Sequence, residues 1–262
     1  MPIQNEKPEP IQLGNKYYYT LSSYDPVLIH VEIPRVTDAD VDMALESIVG
    51  QQGATLPEAD DEWIAAHLEG VGTLAEIRSR LHSQLEQMNA AYAEDSKPSL
   101  AVTELAKRLM QRVPEREIAM FKEVFAQQFD MDLAQDGMTR DDFLARTGST
   151  PEALDRMFGL RAREMAEQVA ALEAFIDERK LTVEDDELEG LLGVPIEHAA
   201  EVIEQAKSEG AMDELRRVAL RNKATHIVVG ECSCVYVHES PEDAQRRVAA
   251  FRRMADQAAK LD

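Results

Sequence analysis

Apolar positions follow two rhythms along this chain. From Pro26 the run VLIHVEIP alternates, so Val27, Ile29, Val31 and Ile33 fall on one face at a period of two, as in a half-buried strand. After it the period lengthens. VTDADVDMALESIVGQQ offers Thr37 as a helix N-cap and Asp40 as a capping-box acid. Val41, Leu45, Ile48 and Val49 form the apolar stripe, and Gly50 and Gly53 end the helix. From Thr73 a narrower seam runs through Leu74, Ile77, Leu81, Leu85, Met88 and Tyr92, the pattern of helices packed as hairpins. Pro98 interrupts it, and Lys97 before it is pushed out of the α region. The helix is expected to stop or kink there and to resume with Leu100, Leu105 and Leu109.

Val113-Pro114-Glu115 opens a further helix whose apolar face is Ile118, Phe121, Phe125 and Phe129, with Met120, Val124 and Met131 beside it. Gly137 closes it. Thr139 caps a short helix ending at Gly148, and Thr150-Pro151 opens what should be the longest helix, to about Lys180. Leu154, Phe158, Met165, Val169, Leu172 and Ile176 line one side of it. A short acidic helix follows Thr182, another begins at Pro195, and a third runs from Ala211 to about Val229. GECSCVYVHESP is alternating and β-branched, so a strand is expected over Cys232–Val237. Ser240-Pro241 then starts a last helix with Val248, Phe251, Met254 and Leu261. Residues 1–26 lack periodicity and read as a loose lead-in, with one strand around Tyr17, Tyr18 and Tyr19.

Composition sharpens the class. Hydrophobic residues make up 44% of the 262 and charged ones 30%, which suits a folded chain; aromatics are only 5% against 11 Met, which favours helices over sandwiches. The net charge of −22 is unevenly spread. Between Val36 and Gly70 stand nine acids and no Lys or Arg, and between Thr182 and Glu209 nine acids against Lys207 alone. Such surfaces repel phosphate backbones, so no direct nucleic-acid partner is expected. Most of these acids read as solvated helix faces; a functional reading is binding of basic clients, or solubility while sticky ones are held. No apolar run reaches the roughly 18–20 residues of a membrane span. MPIQNEKPEPIQ has no signal-peptide pattern, and two Cys suit a reducing, cytoplasmic setting.

Catalytic signatures are missing: no G-x-S-x-G, no phosphate-binding Gly-Lys-Ser/Thr loop, no G-x-G-x-x-G and no H-E-x-x-H. His226, Cys232, Cys234 and His238 could give two nitrogen and two sulfur ligands for zinc. A C-x-C spacing on a strand is not the usual knuckle, however, so ordinary reduced thiols are preferred and no metal or cofactor is expected. The Phe/Met stripe from Met120 to Met138 has two readings. It is the seam of a helical hairpin, or a face left partly open, where flexible Met adapts to many partners.

The order of these pieces carries a resemblance. VTDADVDMALESIVGQQGAT resembles the trigger factor segment that leads from the ribosome-binding domain into the isomerase domain. LPEADDEWIAAHLEGVGTLAEIRSRLHSQLEQ resembles the segment after the isomerase domain. VPEREI, the D-x-F-L-x-x-T-G helix and the TPEAL helix resemble the arm region, LTVEDDELE the next acidic helix, and AMDELRRVALRNKA the final helix before a strand. The likeness runs from about Val27 to about Val237. Ala54-Thr55-Leu56-Pro57 joins the first two segments directly, leaving no room for an FK506-binding-type isomerase domain. The docking loop G-F-R-x-G-K-x-P is absent too, so neither isomerase activity nor ribosome docking is expected.

The resemblance implies a mainly α fold, an elongated helical body with arm-like hairpins akin to the trigger factor C-terminal domain or the SurA peptide-binding region, with one or two short strands. It divides the chain into a lead-in (1–26), a strand-helix linker remnant (27–56), a chaperone domain (57–240) and a helical extension (241–262). It implies an ATP-independent holdase for unfolded or nascent polypeptides, with Phe121, Val124, Phe125, Phe129, Met131, Met138 and Phe158 as client contacts. Alternatives are an adaptor holding one folded partner and an extracytoplasmic chaperone of the SurA or PrsA kind. Client identity and oligomeric state stay open, a homodimer among the options.

Overall fold

The computed structural model describes residues 7–14, 16–70 and 72–258, with side chains through Arg253. The side chain of Met254, and Leu261 altogether, lie outside the described residues. The fold is mainly α. It opens with an antiparallel hairpin of β1 (Ile11–Leu13) and β2 (Lys16–Tyr18), pairing Ile11 with Tyr18 and Leu13 with Lys16. In β3 (Leu28–Ile33) the period-two pattern is realised: Val27, Ile29 and Val31 are buried and the residues between them exposed. Helix α1 (Asp38–Gln51) starts where its capping box predicts. Thr37 Oγ1 accepts the Asp40 N–H, and the Asp40 carboxylate accepts the Thr37 N–H at 2.8 Å. A 3₁₀ turn (Leu56–Glu58) leads to α2 (Asp61–His67), so residues 52–60 alone separate the two helices.

Helix α3 (Leu74–Ala106) continues through Pro98, so of the expected stop or kink the stop does not occur. A proline inside a helix costs about 3 kcal/mol or more, through a lost hydrogen bond and a clash. Burial of Val102 and Leu105 beyond it, worth roughly 1.5–3 kcal/mol per large side chain, outweighs that cost. The Ser96 hydroxyl also donates to the Ala93 carbonyl at 2.8 Å. As a result α3, with 33 residues, exceeds the helix that was expected to be longest, which has 29. The seam also ends early: Ile77 and Leu81 are buried, whereas Met88 and Tyr92 are exposed and Ala93, on another face, is buried instead. The cluster that α1 and α2 build stops at Leu85, so nothing in it covers the later turns.

Helix α4 (Glu115–Gln135) follows Pro114 and ends at Gly137, where φ is +69° and the Met138 N–H bonds to the Leu133 carbonyl at 2.9 Å. Helix α5 (Arg140–Thr147) lies between a Thr139–Asp142 capping box and left-handed Gly148. Helix α6 (Pro151–Arg179) is capped by Thr150. Then come α7 (Leu188–Leu191), α8 (Ile196–Glu209), α9 (Met212–Glu231), β4 (Ser233–His238), which pairs with β3, and α10 (Pro241–Ala258).

The chain divides into two compact units, each drawn from two stretches. One comprises residues 1–29 and 98–233. In it α6 packs against α4 and α9, and α7 against α8 and α9. The lead-in is not loose over its described part. Met110 N–H donates to the Thr20 carbonyl, Ser22 N–H to the Arg108 carbonyl and Arg112 N–H to the Pro8 carbonyl, while Arg108 reaches the carbonyls of Asp25 and Pro26. The one strand expected around Tyr17, Tyr18 and Tyr19 is β2 (Lys16–Tyr18), and β1 is its partner.

The other unit comprises residues 30–97 and 234–262. Val41, Leu45 and Val49 of α1 pack with Ala59 and with Ile64 of α2 and Ile77 and Leu81 of α3. Helix α10 is fastened through Arg247. Its guanidinium donates to Asp40 at 2.9 Å, to Glu239 at 3.1 and 3.2 Å and to the Arg35 carbonyl at 2.8 Å. Glu239, only 7% exposed, also accepts the Arg35 N–H. Burial opposes the charge on Asp40, but hydrogen bonds from Arg247 and Thr37 outweigh it and hold the carboxyl below its ordinary value. Stability from this site is therefore complete above the ordinary value of 3.8 and is lost as pH falls through the lowered one. Arg247→Ala, which leaves Asp40 to Thr37 and Glu239 to the Arg35 N–H, should cost about 1–2 kcal/mol at neutral pH. The difference from the parent should shrink in acid, a pattern that urea denaturation at several pH values measures.

Candidate functional site

Helices α4 and α6 form a hairpin closed at its tip by α5, and aromatic rings hold it shut. Phe129 of α4 meets Phe143 of α5 edge-on at 5.0 Å and Phe158 of α6 at 5.4 Å between centroids. Arg140 grips both Asp130 oxygens at 2.7 Å and lies over the Phe158 ring. Phe158 is only 5% exposed, so its expected role as a client contact is corrected: it is an internal fastener, as is half-buried Phe129. Phe143 is the residue that sequence reasoning missed. Its signal is its place as the aromatic residue of a capped eight-residue helix.

The other expected contacts separate. Val124 and Met131 are exposed, and Met120 joins them at 63% exposure. At 100° per residue these three lie within about 40° of one another on α4. They are turned roughly 120° from the face of Ile118 and Phe125, where α4 meets its partners. On α6, exposed Met157 and Leu160 line a separate shallow depression with Arg156 and Arg161, which no residue of α4 enters. An outward apolar pair at i, i+3 was the available signal for these. Phe125 is half-buried with the Arg161 guanidinium over its ring at 5.0 Å. Met138 is half-buried, and the Arg146 guanidinium reaches its sulfur at 3.9 Å.

Phe121 lies apart, at the root of the hairpin. With Val169 and Ile176 of α6, Leu220 of α9, and Tyr17 and Tyr19, it lines a cavity of about 410 Å³. Burial, reinforced by Glu117, pushes the Tyr19 hydroxyl up to about 12. Burial also raises the Glu173 carboxyl, and Arg221, at 3.9 Å, only partly opposes it. Among the described residues no three His, Cys, Asp or Glu side chains are grouped to hold a metal ion.

The segment that supplies α3 to α9, residues 73–230, matches the family described as the bacterial trigger factor protein C-terminus, more than half of the chain. The chain belongs to the trigger factor family. The matched part is the family's C-terminal, non-catalytic region, and it contains the α4–α6 hairpin whole. The trigger factor of Shouchella clausii is 25% identical over 66% of this chain and 41% of its own length. That of Agathobacter rectalis is 27% identical over 59% and 32%. This trigger factor relative thus spans well under half the length of the curated proteins it matches. Among solved structures, a hypothetical Mycoplasma protein aligns at a TM-score of 0.41, with 13% identity over 84% of this chain and 90% of its own. A trigger factor chaperone aligns at 0.36, with 18% identity over 68% and 44%. No helix among the described residues is long and apolar enough to cross a membrane.

Two outcomes are expected of variants here. Phe129→Ala should cost about 2–4 kcal/mol and speed proteolysis at the hairpin tip, followed by urea denaturation and limited digestion. For Glu173 the raised folded value means that stability is full below the ordinary value of 4.5 and is lost as pH rises through the raised one. Glu173→Gln should therefore melt above the parent at pH 7 and converge with it in acid, as calorimetry would record.

Proposed function

We propose that the chain is an ATP-independent holdase that binds unfolded or nascent polypeptides through the apolar surface of the α4–α6 hairpin. The observation that carries this is the row of Met120, Val124 and Met131, exposed on a helix that aromatic packing holds in place. Exposed Met and Val make contacts that adapt to many side chains, and each is weak enough to release without an energy source. Several such contacts along one client raise the overall affinity. Phe129, Phe143 and Phe158 act in this reading as the frame, and Val124, Met131, Met120, Met157 and Leu160 as the contacts. Half-buried Phe125 and Met138 are lesser contacts in this reading, and Phe121 stays apart at the root of the hairpin.

Residues 57–240 form the chaperone domain in this proposal, and 241–262 an extension of it. The 52–60 connection between α1 and α2 is short and carries a 3₁₀ turn. The net charge of −22 would keep a loaded chaperone in solution, in keeping with cytoplasmic work.

The test is aggregation of a chemically denatured model protein, followed by light scattering. Several-fold excess of the chain should suppress it without ATP; no suppression overturns the proposal. The triple change Met120→Ser, Val124→Ser, Met131→Ser should weaken client binding about tenfold, since three contacts of about 0.5 kcal/mol each sum to about 1.5 kcal/mol. It should leave the melting temperature nearly unchanged, because these side chains are already exposed.

A further inference from the structure

We propose that the open edge of β4 (Ser233–His238) is a docking strip for one extended stretch of unfolded polypeptide, which adds to the β3–β4 pair as a third strand. The inference deepens the holdase reading above and rests on it for the class of occupant. The strip uses none of the residues of the α4–α6 hairpin.

The Glu239 N–H donates to the Ile33 carbonyl at 3.0 Å, and the Ser233 N–H to the Val27 carbonyl at 2.8 Å. The two bonds share one offset along the chain, so β4 runs parallel to β3 and turns the backbone groups of its odd-numbered residues toward it. The backbone groups of Tyr236 and His238 therefore point to the opposite edge. Among the described residues β3 is the sole strand beside β4, so no ladder takes up that edge. Neither face of the strand is roofed: Val235 and Val237 on one side are 41% and 44% exposed, and Tyr236 on the other is 45% exposed. The strand is held in place all the same. The Tyr236 hydroxyl donates to the Glu94 carboxylate at 2.5 Å, and the Lys97 ammonium lies 5.2 Å from its ring centroid.

Proteins usually blunt such an edge with Lys, Pro or another charge. SCVYVH carries no Lys, Arg, Pro, Gly or acid, and its β-branched and aromatic residues favour pairing. A two-stranded sheet is marginal by itself, and a third strand adds backbone bonds and cross-strand side-chain pairs together. What completes a backbone edge is another extended backbone, whatever its sequence, and an unfolded chain offers one. Charge selects among the possible occupants. Residues 30–97, which supply most of this unit, hold 14 acids against four Lys and Arg. Two copies of a chain with a net charge of −22 repel each other, which opposes pairing of β4 with itself. The same field attracts a client segment in which β-branched residues alternate and Lys or Arg stand nearby.

The probe is a short fluorescein-labelled peptide of alternating Val and Thr flanked by Lys, and anisotropy measures its binding. A second peptide carries N-methyl groups on adjacent central residues, so that each of its edges loses a backbone donor while its side chains are unchanged. It should bind at least about tenfold more weakly. The first peptide should slow hydrogen exchange at the Tyr236 and His238 amides. His238→Pro removes a donor from the open edge and leaves the bonds to β3, and Val235→Lys guards the edge with a charge. Each should weaken peptide binding at least about fivefold while melting as the parent does. The triple serine variant of α4 should bind this peptide as the parent does. Equal affinity for the two peptides overturns the inference, and so does exchange at Tyr236 and His238 that the peptide does not slow. Suppression of aggregation by the same preparation then leaves the holdase reading standing. A parent that sediments as a dimer, with Val235→Lys a monomer, overturns the inference as well, because a second copy then takes the edge. Failure of the parent both to bind the peptide and to suppress aggregation defeats the holdase reading and the docking strip with it.

Discussion

A helix flanked by two others can be approached closely only where its side chains are small, and α6 meets that condition with Ala162, Ala166, Ala170 and Ala174, all buried at four-residue spacing. Helices α4 and α9 both pack on it. The rest of this unit follows from that row. Because α4 comes close, Phe129 can reach Phe143 and Phe158 and lock the tip of the hairpin. Because Ala166 and Ala170 carry no bulk, the cleft they line with Tyr17 and Tyr19 stays open. The same small side chains thus give tight packing toward the tip and a cavity at the root.

What was legible from sequence was local. The caps at Thr37, Thr139 and Thr150 are set by a hydroxyl and an N–H three residues away, so the residues themselves announce them. Prolines 114, 151, 195 and 241 announce helix starts in the same way. What was not legible depended on distant partners. Pro98 looked like a stop because local propensity says so, and burial of Val102 and Leu105 overrode it. The segment before Pro26 looked loose because its hydrogen bonds go to residues 108–112, far along the chain, and no periodicity records such pairing.

The candidate surface shows the same division. A stripe of Phe and Met on α4 could be read directly, but not which residues turn inward. Phe121, Phe125 and Phe129 differ from Met120, Val124 and Met131 by a third of a turn, and only the placement of α5 and α6 decides which of the two faces is covered. Alanine adds to the difficulty. Its row on α6 is as consistent with a solvated helix as with a buried one, so the stripe from Leu154 to Ile176 announced the helix but not the alanine face on which its neighbours pack.

The Asp40 carboxylate closes the first turn of α1 and also receives Arg247 of α10. One side chain therefore belongs to two structures that are 207 residues apart in sequence. Fraying at the start of α1 and detachment of α10 are then not separate events but parts of one cooperative opening. A protease that clipped α10 would loosen a helix it never touched, and the earliest sign of damage near residue 247 would appear in the exchange of amides near residue 40.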